Sequence, residues 1–396
     1  MKTRYKELFK KLNWPYAVFK ELKILRDERK SLLTEAKARF EEEKCHQFNL
    51  HDYRRAELRH RVSFQEYCTF ELWKMTKREQ RNYLSEKELR CIYRKTVDFK
   101  VVRQLDNKLL IHTEFEKFMR RAWLCPSLSS FETFSQFIVS HDCIIKPWTG
   151  SLGNGVFMVK QDEIVDLQKL YDDCVQNHLI VEERVRACKE IEEFHPQSLN
   201  TIRVFTMSNG TKTELVAAEI RIGIGDKIID NASAGGIVAP IDATTGLITN
   251  HGRTHNGKTY ISHPDSGKVI KGFLIPHWDK VLEACKEMSA FVPEAIFAGW
   301  YLCVLENGEI EMIEVNSNPN IMGLQASHGL GLRPKIQALG KELLGRNLMK
   351  QIHVYSKPIV NYSKKKQSIQ RWNVNQCLND YIMMREQIFP SHTITQ

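Results

Sequence analysis

The tightest constraint on how this chain can fold comes from a dipeptide. Asn209-Gly210 separates two apolar runs, 202–207 and 213–222, and Asn-Gly is the pair selected by two-residue hairpin turns, whose central residues both need positive φ. The two runs are therefore expected to pair antiparallel, which disfavours a simple doubly wound parallel sheet. A second hairpin is expected from 300–305 through Glu306-Asn307-Gly308 to 311–315. Further apolar runs at 143–146, 156–160 and 179–182 are bounded by glycine or polar turns, and 277–291 has the length and spacing of a long helix. From about residue 106 onward the chain reads as mixed α+β.

Upstream the texture is different. Residues 5–43 alternate apolar and charged positions at helical spacing, with Leu22, Leu25, Leu32 and Leu33 on candidate inner faces. A second helical block is expected over 51–97, and Ser85-Glu86-Lys87-Glu88 has the form of a capping box opening its last helix. The expected organisation is a helical N-terminal region over 1–100, a body over 101–345 with a small lobe near 140–185 and a large lobe near 190–345, and a helical, basic tail over 346–396 that contains Lys364-Lys365-Lys366. At 396 residues the chain is long enough for two or three domains.

Charge is uneven. Residues 1–105 hold 27 Lys/Arg against 16 Asp/Glu, which accounts for the whole formal charge of +10. Such a basic end could lie on an anionic membrane or meet an acidic partner, or be simply a solvated helical face. No nucleic-acid-binding motif accompanies it, so nucleic acid is not an expected partner. No apolar run reaches the roughly 20 residues needed to span a bilayer, and Met1-Lys2-Thr3-Arg4 is not followed by an apolar stretch; the expected location is cytoplasmic. The ten cysteines are scattered singly, without C-x-x-C or zinc spacing, and are expected to be reduced. A homodimer is the default expectation for a soluble chain of this kind.

Several segments carry chemistry. Met312-Ile313-Glu314-Val315-Asn316 reads as a strand on which Glu314 and Asn316 share a face, offering two oxygens to a hard cation such as magnesium. Ile144-Ile145-Lys146-Pro147 presents a strand lysine before the glycine-rich Gly150-Ser151-Leu152-Gly153-Asn154-Gly155, whose amides could approach polyphosphate. Leu179-Ile180-Val181-Glu182-Glu183 is an apolar strand that breaks into a charged turn. It is either an exposed strand end or a hinge whose backbone reads a nucleobase. Arg203 and Arg221 each interrupt one strand of the first hairpin, either as structural ion pairs or as two guanidinium groups for phosphate or carboxylate. Asp230-Asn231-Ala232-Ser233-Ala234-Gly235-Gly236 is a small-residue turn fit for ligand contact. His251 and His255 have metal-like spacing only if helical, and Gly252 and Gly257 argue for a loop.

The order of these parts resembles the ATP-grasp superfamily of carboxylate-amine ligases, and more closely the sugar-transfer associated ATP-grasp family. The resemblance runs from about residue 60 to 340 and includes Ser198-Leu199-Asn200-Thr201-Ile202-Arg203, Asp230-Asn231 with Gly235-Gly236, and His263-Pro264 leading to Gly272-Phe273-Leu274-Ile275-Pro276-His277-Trp278. It implies an ATP-grasp fold, two sheet lobes clasping ATP, preceded by helices. It implies that Lys108 and Lys146 hold phosphate, that Ser151, Gly153 and Gly155 belong to a loop closing over it, and that Glu182 and Val185 form the adenine hinge. Glu183 or Glu190 would meet the ribose, Glu314 and Asn316 would hold magnesium, and Arg203, Arg221 and Lys146 would carry the catalysis. Asp230, Asn231, Gly235 and His255 are the substrate-side candidates, with Glu219 and His255 offered as bases. One departure stands out: the family's Gly-Trp-Asp is Gly299-Trp300-Tyr301 here, which replaces a metal-binding carboxylate by a neutral phenol and leaves Asp230 or Glu311 as substitutes.

The reaction implied by the resemblance is ATP-dependent amide formation between a small-molecule carboxylate and an amine through an acyl phosphate, for instance an amino acid joined to a sugar acid or peptide in surface-polysaccharide biosynthesis. A kinase acting on a hydroxyl or phosphate, and a nucleotide-binding scaffold with reduced catalysis, are the alternatives.

Overall fold

The computed structural model describes residues 50–97, 105–149, 153–162, 166–255 and 257–350. The expected helix over 5–43, the tail with Lys364-Lys365-Lys366, and Ser151 lie outside the described residues. The chain divides into two compact units, one of residues 1–80 with 353–396 and the other of residues 81–352.

The described part of the first unit is helical. Leu50–His60 and Phe64–Thr69 are separated by a break at Arg61, and Ser63 caps the second helix in a capping box with Glu66. Tyr53, Phe64 and Tyr67 pack edge to face between them.

The second unit contains eleven strands among its described residues, in two antiparallel sheets. They are β1 (Trp123–Leu124), β2 (Cys143–Pro147), β3 (Phe157–Val159), β4 (Leu179–Glu183), β5 (Ile202–Ser208), β6 (Thr213–Ile222), β7 (Ile237–Ile241), β8 (Gly252–Thr254), β9 (Thr259–Tyr260), β10 (Phe297–Val304) and β11 (Ile310–Asn316). The small sheet runs β1-β4-β2-β3 and the large one β11-β10-β5-β6-β7-β8-β9. Both Asn-Gly turns join antiparallel neighbours, β5 with β6 and β10 with β11. The small sheet also includes Trp123–Leu124, upstream of the lobe boundary near 140.

Alternation along the strands decides which residues meet the interior. In the small sheet Cys143, Ile145, Leu179 and Val181 face the helices Phe131–Ser140 and Leu167–Gln176, burying Phe134, Ile138 and Cys174 with them. Lys146 and Glu182 fall on the other face. In the large sheet Ile202, Val204, Ala218, Ile220, Trp300 and Leu302 pack under Trp278–Phe291. Burial of each such aliphatic side chain contributes about 1.5–3 kcal/mol. The opposite face is divided along the strands. Phe205, Met207, Ala217 and Phe297 are covered by Glu86–Thr96, Met322–His328 and Arg333–Leu344, Glu219 lies at the edge of that cover against Ser327, and Arg203, Arg221 and Tyr301 face the cleft beyond it. The capping box at Ser85 and Glu88 forms with both bonds present.

Candidate functional site

A cleft of about 320 Å³ opens between the uncovered faces of the two sheets. On its small-sheet side Lys146 and Glu182 are diagonal neighbours on β2 and β4, since Ile144 pairs with Glu182 and Lys146 with Ile180. Lys146 Nζ lies 2.6 Å from Glu182 Oε1. The same carboxylate takes His112 Nε2 at 2.5 Å and Arg121 Nε at 3.1 Å. His112 also donates from Nδ1 to the carbonyl of Lys108 at 2.7 Å, which leaves Nε2 as an acceptor on a neutral ring, 3.4 Å from the donor Arg121 Nη2; burial draws this imidazole below its ordinary 6.5, with Glu182 opposing. Burial pushes the Glu182 pKa upward, but Arg121 and Lys146 outweigh it and hold the carboxyl well below its ordinary 4.5. Burial draws Lys146 below its ordinary 10.5, with Glu182 opposing.

On the large-sheet side Arg203 pairs across the ladder with Glu219, and both arginines are held by that carboxylate, Arg203 Nη1 at 3.4 Å and Arg221 Nε at 3.5 Å from Oε1. Glu219 is 1% exposed and accepts a further bond from Ser327 Oγ. It is thus the counter-ion of the pair, not a base open to the cleft. Arg203 Nη2 donates to the carbonyl of Asn320 at 2.7 Å. Among the described residues Arg203 Nε and Thr201 Oγ1 are buried without a hydrogen-bond partner, and Arg221 Nε has only the long contact to Glu219.

Tyr301 sits directly opposite Glu314 in the β10–β11 ladder. Its ring centroid is 4.8 Å from the Arg221 guanidinium carbon and 5.6 Å from that of Arg203, a cation–π arrangement. Asn316 pairs with Gly299, two residues along, so Glu314 and Asn316 share a face. Gly299 is required here: a Cβ would come within 2.9 Å of Pro319, and that close approach lets the turn 317–320 fold back over β10 and bring Asn320 to Arg203. Tyr93 anchors the turn by donating to the carbonyl of Pro319 at 2.8 Å. Lys108 Nζ is 3.9 Å from Glu314 Oε1.

Most of the residues expected from the sequence converge. Lys108, Lys146, Gly153, Glu182, Glu183, Val185, Arg203, Arg221, Asp230, Asn231, Glu314 and Asn316 all line the cleft. Gly153 takes φ +73°, and a Cβ there would meet Ile229 at 2.9 Å, so the end of the glycine-rich loop lies against the 228–231 segment. Glu183 is bonded through both its amide and its carboxylate to Ala122. Asp230 Oδ2 accepts from the Thr201 amide at 2.6 Å.

Others fall outside the lining. Glu190 is exposed on the short helix Lys189–Glu192, and it is Glu192, on a different side of that turn, that reaches the cleft. Gly155, Gly235 and His255 are not lining residues. Gly252–Thr254 between His251 and His255 is strand rather than helix, so the two rings are not brought together by a helical turn. Glu311 is no substitute metal ligand, because it is fully buried and bonded to the Arg120 amide and to Arg121.

The donor set fits one hard cation. Glu314 has a side chain 42% exposed toward the cleft, Asn316 Oδ1 accepts only the Asn318 amide at 3.0 Å, and among the described residues no cluster of three or more His, Cys, Asp or Glu could enclose a metal. Two protein oxygens suit magnesium, which keeps waters and substrate phosphates in its shell.

Away from the cleft, burial holds the pKa values of His255, His263 and His328 below their ordinary 6.5. His263 and His328 each donate from Nε2 to a backbone carbonyl, of Gly223 and Ala218, as neutral rings do. With the folded value lowered, the unfolded chain binds more protons below about pH 6.5. The stability contribution of these groups is therefore level above pH 6.5 and declines as the pH falls toward 5. Thermal midpoints measured from pH 8 to 5 are expected to show that decline; a midpoint rising over pH 6.5 to 5 would contradict it. No helix among the described residues is long and apolar enough to cross a membrane.

Among solved structures, the chain is similar to an ADP complex of N5-carboxyaminoimidazole ribonucleotide synthetase, at 12% identity and a TM-score of 0.37 over 56% of this chain and 47% of that one. It is similar to the ATP-grasp ligase PsnB complexed with minimal precursor, Mg and ADP, at 11% identity and a TM-score of 0.39 over 65% and 62%. An L-amino acid ligase from Bacillus licheniformis gives 11% identity and 0.37 over 65% and 50%. The chain thus spans between about half and three fifths of the length of these structures. No curated protein sequence matches it. Residues 80–341, which hold every strand of both sheets and every cleft residue named above, match the family described as sugar-transfer associated ATP-grasp, and the chain belongs to that family.

Proposed function

We propose that the chain is an ATP-dependent carboxylate-amine ligase that forms an amide through an acyl phosphate. The observation that supports this most is the meeting, across one cleft, of two lysines and a glutamate–asparagine pair with two arginines, Arg203 keeping a buried Nε without a partner among the described residues. Lys108 and Lys146 would hold the ATP phosphates, with the backbone at Glu182–Val185 facing the base and Glu183 the ribose. Glu314 and Asn316 would hold magnesium, which when bound neutralises charge on those phosphates.

Arg203, Arg221 and the Thr201 hydroxyl would receive the acceptor carboxylate. Its oxygen attacks the γ-phosphorus, the bond from that phosphorus to the β,γ-bridging oxygen breaks, and ADP departs. The amine nitrogen then attacks the acyl carbon, the carbon–oxygen bond to phosphate breaks, and the nitrogen releases a proton. Because Glu219 is committed to the two arginines, their guanidinium groups act as fixed positive charges, and the work of the protein is orientation and neutralisation. Asp230 and Asn231, next to Arg221 along the cleft, would meet the amine partner, their side-chain oxygens accepting from the N–H groups of the neutral amine. An amino acid joined to a sugar acid or peptide, as in surface-polysaccharide or related biosynthesis, suits such a pair of subsites.

Hydroxylamine trapping tests the reading. With ATP, magnesium, hydroxylamine and a panel of uronic acids and peptides, the expected result is hydroxamate formed in step with ADP and phosphate. ADP release that always yields a phosphoester and never a hydroxamate would replace the ligase by a kinase.

Tyr301 favours a second reading, a nucleotide-binding scaffold with reduced catalysis, since a phenol is a poor ligand for a hard cation. Tyr301→Asp separates the two. For a ligase, the wild-type chain already turns over, and the variant lowers the magnesium concentration for half-maximal ADP release about 10-fold, equivalent to about 1.4 kcal/mol. For a scaffold, only the variant releases ADP above background.

A further inference from the structure

We propose that Arg121 is the positioning residue for Lys146: anchored on β11 of the large sheet, it fixes Glu182 on the small sheet and, through Glu182, the ammonium group of Lys146. The inference rests on the proposal that ATP phosphates bind beside Lys146.

Arg121 precedes β1, and its side chain is 2% exposed. A guanidinium so buried costs several kcal/mol unless its donors are paired. Toward the small sheet, Nη2 donates to Glu182 Oε1 at 3.3 Å, and Nε lies 3.1 Å from Oε2 without hydrogen-bond alignment. Toward the large sheet, Nη1 donates to Glu311 Oε1 and to the carbonyl of Met312 at 2.7 Å, and Nη2 to the carbonyl of Ile313 at 3.3 Å.

Those two carbonyls belong to a β-bulge. Tyr301 pairs with Glu314 but Leu302 pairs with Met312, which leaves Ile313 as the extra residue. A bulge interrupts the ladder, and Arg121 supplies donors that the neighbouring strand does not. The bulge has a second effect. In a regular strand Glu311 and Glu314, three residues apart, would face opposite sides; the extra residue turns both toward the face of Tyr301 and Cys303, where Glu311 can meet Arg121. Arg121 is thus fixed by the irregular part of β11 just before Glu314. Its bonds to the small sheet go to the carboxylate whose Oε1 is 2.6 Å from Lys146 Nζ. A planar fork is needed to serve both sides at once, and a lysine ammonium cannot do so.

The test is a double-mutant cycle read by affinity for the β,γ-imido analogue of ATP with magnesium, using the full chain. Arg121→Lys is expected to weaken binding about 10- to 30-fold in the wild-type background and less than about threefold in a Lys146→Met background, because the effect passes through that lysine. A generalised structural loss would appear equally in both backgrounds, and equal losses overturn the proposal, as does unchanged affinity in the wild-type background. Should Arg121→Lys fail to fold, Glu311→Gln replaces it. That change keeps the size and removes the charge anchoring the far end of the guanidinium, and a loss of about 3- to 10-fold confined to the wild-type background is expected. Failure of the unmutated chain to bind the nucleotide would overturn the nucleotide-site reading itself; binding with additive losses overturns only the role of Arg121.

Discussion

Glu314→Gln is expected to lose at least about 100-fold in the rate of ADP release while keeping the fold. The substitution keeps the size of the side chain and an oxygen for coordination, but removes the one carboxylate charge in the proposed donor set, and a hard cation is held chiefly by charge. A loss of this size corresponds to about 2.7 kcal/mol of transition-state stabilisation, within the range for removal of one electrostatic contact at a reacting phosphoryl or acyl group. The fold should tolerate it, because the Glu314 side chain is 42% exposed and its ion pair with Lys108 is long, at 3.9 Å; partly exposed pairs contribute little to stability. The readouts are kcat and the thermal midpoint of the free protein. A kcat within threefold of the wild type would remove Glu314 from the site.

The second large effect is expected at Lys146. Lys146→Met should weaken ATP binding about 30- to 100-fold, because the ammonium group is buried at the cleft with only part of its donor capacity taken by Glu182, and low-dielectric surroundings strengthen its attraction for phosphate. Removing one partner of a buried ion pair often costs 3–5 kcal/mol. Here Glu182 retains Arg121 and His112, so the destabilisation should be smaller, about 1–3 kcal/mol, and the variant should remain folded for calorimetry. Unchanged ATP affinity would contradict the placement of phosphate beside β2.

What was legible in the sequence was local. Asn209-Gly210 and Asn307-Gly308 declare their hairpins because a tight turn depends on its own residues, although the turns differ from the expected Asn-Gly type: only Gly210 and Gly308 take positive φ, and the amide of Asn209 donates to Lys212 and that of Leu305 to Glu309. Simple alternation places Glu314 and Asn316 on one face. Ser85 and Glu88 announce a helix start from four residues. The long-range parts were not legible. Arg121 stands 61 residues before Glu182 and 190 before Glu311, and nothing near Arg120-Arg121 in the sequence marks which charges will meet it. The bulge at Ile313 breaks the period-two rule just where it matters for Glu311, a carboxylate that the sequence offers to a metal and the fold buries against Arg121. Glu219 resembled a candidate base for a similar reason: its commitment to Arg203 and Arg221 depends on the β5–β6 register and on Ser327, which arrives from a distant helix. The expected helical block over 51–97 is also more broken than its composition implies, since Arg61 and Glu71 take positive φ and interrupt it between caps.

The most direct test of the central claim, that this cleft holds ATP between Lys146 and a magnesium seat at Glu314 and Asn316, is the thermal midpoint of the chain titrated with ATP in the presence and absence of magnesium. A ligand bound only by the folded state raises stability by about 2.7 kcal/mol at 100 times its Kd. The account predicts a saturable rise with ATP that requires magnesium and is lost in Lys146→Met at the same ATP concentration. No rise with ATP, or a rise of equal size in Lys146→Met, would contradict it.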